Sequence, residues 1–308
     1  MRITGSLLAI ALAAFVPSPD DGNGPKRIAI GGIENTFRLS PRLYSGGDPR
    51  GAEGLQALKK LGIRTIISVD GAAPDVEAAR ILGLRYVHLP VGYDGIPREQ
   101  AVKLIRALQS LPGPFYVHCH HGKHRGPAAA ALCGISAEGW SKPDALAWMA
   151  TAGTSADYRG LYESASKFET PTAEELGRVG DDLPELAEIP AIVDLMVRVD
   201  ERWDCLKASQ TAGFRAPPNR PDIDPPHEAL QLVELYRELA RLPEAQGRGP
   251  VFLKAAEAAG RDATALEEAL RYLGKAPNAD ATRRAETAFQ AASKACAACH
   301  SAHRDAPR

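Results

Sequence analysis

The chain has 308 residues, 44% of them hydrophobic, and a formal net charge of −1. That length accommodates two domains with ordinary globular cores, and so balanced a charge argues against a nucleic-acid binder, which carries a basic excess. Five cysteines, Cys119, Cys133, Cys205, Cys296 and Cys299, are too few and too unevenly spaced for a disulfide scaffold.

At the N-terminus Arg2 precedes an apolar run at 7–16 and a polar, turn-rich stretch at 17–24. This is the pattern of an export signal over 1–20, too short to span a bilayer. Ala11-Leu12-Ala13 and Val16-Pro17-Ser18 both offer small residues at a workable cleavage spacing. No later segment is long and apolar enough to span, so the sequence predicts export to a bacterial periplasm and no membrane span in the mature form. From 28 to 168 short strands alternate with helices: a strand and turn at 43–47, a helix at 51–61, strands at 65–69 and 85–91 around a helix at 76–82, a helix at 98–111 and a strand at 115–117. That order predicts an α/β domain over 21–172 built on a parallel sheet, with its ligand site beyond the carboxyl ends of the strands.

The strand at 115–117 runs into His118-Cys119-His120-His121-Gly122-Lys123-His124-Arg125-Gly126, and a small-residue helical stretch follows. A cysteine between strand and helix sits where backbone N–H groups converge and the helix dipole favours an anion. Arg125 is able to reach back and grip two phosphate oxygens with its planar fork. A metal site built from His118, His120, His121 and His124 is the competing reading, but four ligands in one tight loop converge poorly on a tetrahedron; a buried structural cysteine is another.

His118-Cys119, the five-residue gap containing Gly122, and Arg125-Gly126 together resemble the signature loop of the dual-specificity and protein tyrosine phosphatases. Ser45-Gly46-Gly47-Asp48-Pro49 and Gly62-Ile63-Arg64 extend the resemblance to the small bacterial members. The resemblance implies Cys119 as nucleophile, Arg125 as phosphate clamp, and His118, His120, His121, Gly122, Lys123, His124 and Gly126 as the substrate-binding loop. It also implies a general acid on a loop ahead of the cysteine strand, for which Asp94 stands in the right order, with Asp70 and Asp75 as fallbacks; an Asp before Gly is also common in plain turns. Gly126 departs from the family, which usually has Ser or Thr there to help the thiolate leave. Gly122-Lys123-His124-Arg125 is similar to the loop of plant and fungal relatives acting on inositol polyphosphates; phosphotyrosine, phosphoserine and small esters stay open.

Helical stretches at 126–135, 143–151 and 155–167 close this domain, and a polar stretch marks a linker at 173–186. In 187–308 the grammar is purely helical: Ile192, Leu195, Met196, Val199, Trp203 and Leu206 share one face, as do Leu232, Leu235, Tyr236 and Leu239, and helices follow at 251–273 and 280–304. Loops at 217–226 and 242–250 separate them, which predicts an all-α four-helix bundle. Cys296-Ala297-Ala298-Cys299-His300 has the spacing for covalent haem c, with His300 as iron ligand; a redox pair or half a zinc site are the alternatives. With Arg304 four residues beyond His300, this half resembles the cytochrome c-prime class, although His303 replaces the usual aromatic. The resemblance implies Cys296, Cys299, His300 and Arg304 as cofactor-binding residues, Met196 or an empty position as sixth ligand, and a homodimer paired through the first helices.

The resulting expectation is an exported cysteine-dependent phosphatase that hydrolyses phosphate monoesters through a cysteinyl-phosphate. Its haem c domain would serve redox or gas-ligand sensing, or electron transfer with a redox partner. The alternative is an electron-transfer or gas-sensing cytochrome with a catalytically weak phosphate-binding domain; a thiol redox enzyme would need a resolving cysteine beside Cys119.

Overall fold

The computed structural model describes residues 24–180 and 183–305; the expected export signal at 1–20 lies outside them. Short β-favouring runs form β1 (Lys26–Arg27), β2 (Phe37–Arg38), β3 (Leu43–Gly46), β4 (Thr65–Ser68), β5 (Arg85–His88) and β6 (Phe115–His118). They make one sheet in the order β1-β2-β3-β6-β4-β5. The last four, β3, β6, β4 and β5, are parallel, with β6 between β3 and β4: Val117 lies opposite both Ser45 and Ile67. The expected all-parallel sheet is corrected at its edge. β1 and β2 pair antiparallel with each other and with β3, because the short connections between them allow hairpin-like returns but no crossover helix.

Side-chain alternation along β6 sets the two faces. Tyr116 joins Ile66, Tyr86, Leu55, Leu58 and Ala79, under helices α1 (Gly51–Lys60) and α2 (Val76–Ile81). Phe115, Val117 and Cys119 join the opposite core, with Ile105 of α3 (Arg98–Ser110), Leu132 of α4 (Arg125–Ala137), Trp148 of α5 (Lys142–Ala152) and Leu161 of α6 (Arg159–Ser166). α4 is rich in alanine and buried along most of its length, which lets it lie close behind the sheet. The stretch read as a linker, 173–186, holds α7 (Ala173–Val179). A capping box between Thr172 and Glu175 starts this helix, and Leu176 and Leu183 are buried in the same core.

The C-terminal region is helical: α8 (Ala191–Thr211), α9 (Pro225–Leu239), α10 (Pro243–Gly247), α11 (Pro250–Lys275) and α12 (Ala279–His303). α8 packs on α9, α9 on α11 and α11 on α12. Their shared core includes Leu195, Leu206, Leu232, Leu266 and Phe289, while Trp203 stacks on Phe289 at 4.7 Å to tie α8 to α12. α10 occupies part of the expected loop at 242–250, its Pro243 placed where a first-turn proline costs no hydrogen bond. Among the described residues no helix is long and apolar enough to cross a membrane.

The two regions touch. The His88 amide donates to the Pro184 carbonyl at 2.8 Å, so the connection covers the free edge of β5. On α8, a Cβ on Gly71 would meet Val193 at 2.6 Å and Val197 at 3.8 Å, and Asp200 and Asp204 continue the same face toward His120.

Candidate active site

β6 ends at His118, and the chain turns through Cys119–His124 into the first turn of α4. Three loop carbonyls are held outward: that of His120 accepts from the Asp48 amide at 3.0 Å, that of Gly122 from Asn35 Nδ2 at 2.8 Å, and that of Lys123 from Thr154 Oγ1 at 2.8 Å. Because a peptide's N–H points opposite its C=O, tying the carbonyls outward turns the following amides inward. Gly122 makes the turn possible. Its φ is +65°, and a Cβ would lie 2.2 Å from the Gly46 carbonyl carbon and 2.4 Å from the Gly47 nitrogen. At Gly126 a Cβ would lie 3.0 Å from the Cys119 nitrogen and 3.4 Å from Sγ, so glycine lets α4 start directly behind the thiol.

Cys119 is buried at the floor of this loop. Arg125 opens α4, and its guanidinium is held from two sides: an Nη lies 3.0 Å from Asp70 Oδ1, and Cζ sits 4.7 Å from the centre of the Tyr93 ring. Burial opposes ionisation of Asp70, but the charge of Arg125, with His120 and His118, outweighs it and holds the carboxyl at about 2. Asp70 is thus held as the ionised partner that orients the arginine. Asp75, the other fallback, is exposed and caps α2 by accepting from the Ala78 amide at 3.0 Å. Arg125 Nε is buried with no hydrogen-bond partner, a donor that an oxyanion held in the loop would satisfy.

Asp94 lies half-buried on the loop between β5 and α3. Neighbouring Tyr93 carries this loop to Arg125, and its ring also packs on Tyr158 at 4.6 Å. The loop is pinned to α6. The Ile96 amide donates to Ser164 Oγ at 2.8 Å, and Gly160 is bare where a Cβ would strike the Asp94 carbonyl at 1.9 Å.

The histidines divide. His118, expected in the substrate-binding set, faces the other side of the sheet, buried between Tyr86 and Tyr116 because β6 alternates; burial lowers its pKa. His124 packs on Tyr158 at 4.7 Å, and burial, with Arg125 and Lys123 beside it, pulls its pKa to about 4, so its ring is neutral. Lys123 is exposed. His120 Nε2 lies 3.2 Å from Asp204 Oδ2, and burial lowers its pKa while Asp204 and Asp200 raise it, the net direction being upward. His120, His121 and Asp204 bring three potential ligand atoms within 4.8 Å of one another. Lys207 already pairs with Asp204 at 2.6 Å and Arg50 faces His120 as a competing cation, so the group reads as a charge network.

On α12, Cys296 and Cys299 are half-buried free thiols one turn apart. Cys296 Sγ lies 3.3 Å from Tyr236 Oη. Met196 and Cys299 border the same apolar core. Burial and the neighbouring Arg304 lower the His300 pKa to about 4, leaving a neutral imidazole. Two free thiols, an adjacent neutral imidazole and an apolar border fit the donor set of a c-type haem. Arg304, expected beside that cofactor, is found over the Tyr93 ring, Cζ to centre 4.0 Å.

Asn35, Thr154, Tyr93 and Asp70's tie to Arg125 had no motif to reveal them, and Asp48 lay in a quoted motif without a role in the loop. Asn35 alone leaves a trace, a polar residue at φ 49° where asparagine is favoured.

No protein-family model matches the chain. Dual specificity protein phosphatase TpbA of Pseudomonas aeruginosa strain UCBPP-PA14 is 32% identical over 123 residues, 39% of this chain and 55% of the relative. Its counterpart in strain PAO1 is 31% identical over 116 residues, 36% of this chain and 51% of the relative. The chain thus spans about half the length of the curated relatives it matches. A crystal structure of P. aeruginosa TpbA aligns at 26% identity and a TM-score of 0.42, covering 48% of this chain and 92% of that one. The N-terminal half matches the dual-specificity, protein-tyrosine-phosphatase-like TpbA.

Proposed function

We propose that the N-terminal half hydrolyses phosphate monoesters through a cysteinyl-phosphate. The observation that carries this reading is the loop itself: inward amides, a buried Cys119, and an Arg125 fixed by Asp70 with its Nε unsatisfied. In the first step Cys119 Sγ attacks phosphorus and the ester P–O bond breaks. The leaving oxygen takes the electron pair and the proton of Asp94, while Arg125 and the loop amides hold the remaining oxygens. In the second, water attacks phosphorus, the S–P bond breaks to return the thiolate, and Asp94 recovers its proton from the water. Gly126 supplies no hydroxyl to the departing thiolate, so breakdown of the phosphoenzyme is the slower step. The exposed Lys123 and the clamped Arg125 on this side of the loop favour dianionic esters in general.

The C-terminal half we infer to be a four-helix haem c bundle of the cytochrome c-prime type, exported with the phosphatase to the periplasm. Cys296 and Cys299 would hold the haem and His300 its iron, and Met196, which borders the same apolar core as Cys299, would be the candidate for a second iron ligand. The bound group supplies a redox-active iron able to take small ligands. The face of α8 bearing Val193, Val197, Asp200 and Asp204 lies against the phosphatase half, so a homodimer through α8 would have to use a different face.

The test is 4-nitrophenyl phosphate turnover by the full chain. Wild type should show a burst of nitrophenol followed by slower turnover, and Cys119→Ser should show neither. Turnover surviving in Cys119→Ser would end the reading.

A further inference from the structure

Tyr93 stands at the junction of the proposed chemistry: its ring touches Arg125, and the next residue is Asp94. The same ring receives a second guanidinium from the far end of the chain. Arg304 Cζ lies 4.0 Å from the centre of Tyr93 and 6.0 Å from that of Tyr158, which itself packs on Tyr93 at 4.6 Å and on His124 at 4.7 Å. Signature loop, acid loop and the start of α6 therefore meet in one aromatic cluster, and Arg304 joins it from the helical region.

Arg304 is itself held firmly. Its amide and that of Asp305 both donate to the His300 carbonyl, at 2.8 and 3.0 Å, its Nε pairs with Asp305 at 2.5 Å, and Arg248 Nη1 donates to the His303 carbonyl at 3.2 Å. A cation so placed over a half-buried tyrosine resists displacement of the loop that carries it. Separately, Asp204 of α8 holds His120 of the signature loop, so the helical region contacts this half at both His120 and Tyr93.

Resting on the phosphatase reading, we propose that Arg304 is a positioning residue for the acid loop: through Tyr93 it holds Asp94 where it protonates the leaving oxygen, and the helical region thereby completes the phosphatase site.

The contact is read by comparing leaving groups in the full, haem-loaded chain. Phenolate needs a proton to depart far more than 4-nitrophenolate does, so an effect on the acid is selective. Arg304→Gln should lower kcat/KM, which reports phosphoryl transfer to Cys119, about tenfold for phenyl phosphate and no more than about twofold for 4-nitrophenyl phosphate, the scale of one lost cation–π contact. Arg304→Lys should recover most of the loss, and inhibition by inorganic phosphate should stay at the wild-type level. Equal losses on both esters, or none, would overturn the proposal. Hydrogen exchange of residues 89–97 decides the matter without turnover: faster exchange in Arg304→Gln supports it and unchanged exchange overturns it. Should wild type hydrolyse neither ester, the phosphatase reading fails while the exchange result still judges the contact.

Discussion

Asp70 and Arg125 form the ion pair on which the loop's geometry depends. With its folded pKa at about 2 against an ordinary 3.8, Asp70 binds protons more weakly in the folded protein than in the unfolded chain. The pair's stabilisation is therefore complete above about pH 4 and is lost as pH falls toward 2. Asp70→Asn leaves a buried guanidinium without its carboxylate and should cost about 3 kcal/mol at neutral pH. In urea titrations the gap between wild type and variant should close between pH 4 and 2; a gap constant over that range would contradict the pairing. Gly122 is constrained by contact as much as by backbone conformation, since a methyl group would overlap the Gly46–Gly47 peptide. Gly122→Ala should lower stability by about 2 kcal/mol or more and abolish inorganic phosphate binding, which calorimetry would show. Cys119, Gly122 and Arg125 were legible because they lie within one contiguous loop. Asp70, Asn35 and Thr154 were not, because only strand pairing and helix packing bring them 30 to 90 positions back along the chain or onward to that loop.

At the scale of elements, the strands of the parallel core and the long helices could be read from apolar runs and from periods of two and 3.6. β1 and β2 could not, because two residues show no alternation, and the sheet was taken as parallel for that reason. α7 was hidden by its polar surface, its only buried residue being Leu176. The contact between α8 and the signature loop depends on charge. His120 faces Asp204, Asp200 and Asp70 as favourable neighbours and Arg50 and, across Asp204, Lys207 as competing cations, beside His121, whose own pKa burial lowers. Its folded pKa is raised above 6.5, so the link is complete below that value and is lost as pH climbs through the folded one. Amides of residues 200–207 should exchange faster with rising pH, after correction for intrinsic rates, in wild type. Asp204→Asn should abolish that excess; an excess unchanged in the variant would show that the link is not electrostatic.

For the whole molecule, the arrangement sets the thiols of α12 and the cysteine of the signature loop in one structure, joined through Arg304 and Tyr93. The sequence placed two motifs in two halves but held no sign that they meet, because Tyr93 and Arg304 are ordinary residues until folding stacks them. Haem attachment is expected to survive denaturation in wild type and to be lost in Cys296→Ser/Cys299→Ser, judged by haem absorbance co-eluting with the unfolded chain. Absorbance retained by the double variant would rule out thioether attachment.

On the phosphatase reading, Cys119 takes the phosphoryl group from the ester and releases it to water. Rapid-mixing turnover of 4-nitrophenyl phosphate, with acid-quenched protein examined for a phosphate-sized mass increase, tests it most directly. Wild type should give a burst matching the enzyme concentration and a phosphoenzyme that Cys119→Ser lacks; turnover without that intermediate, or an identical rate from the variant, would contradict the account.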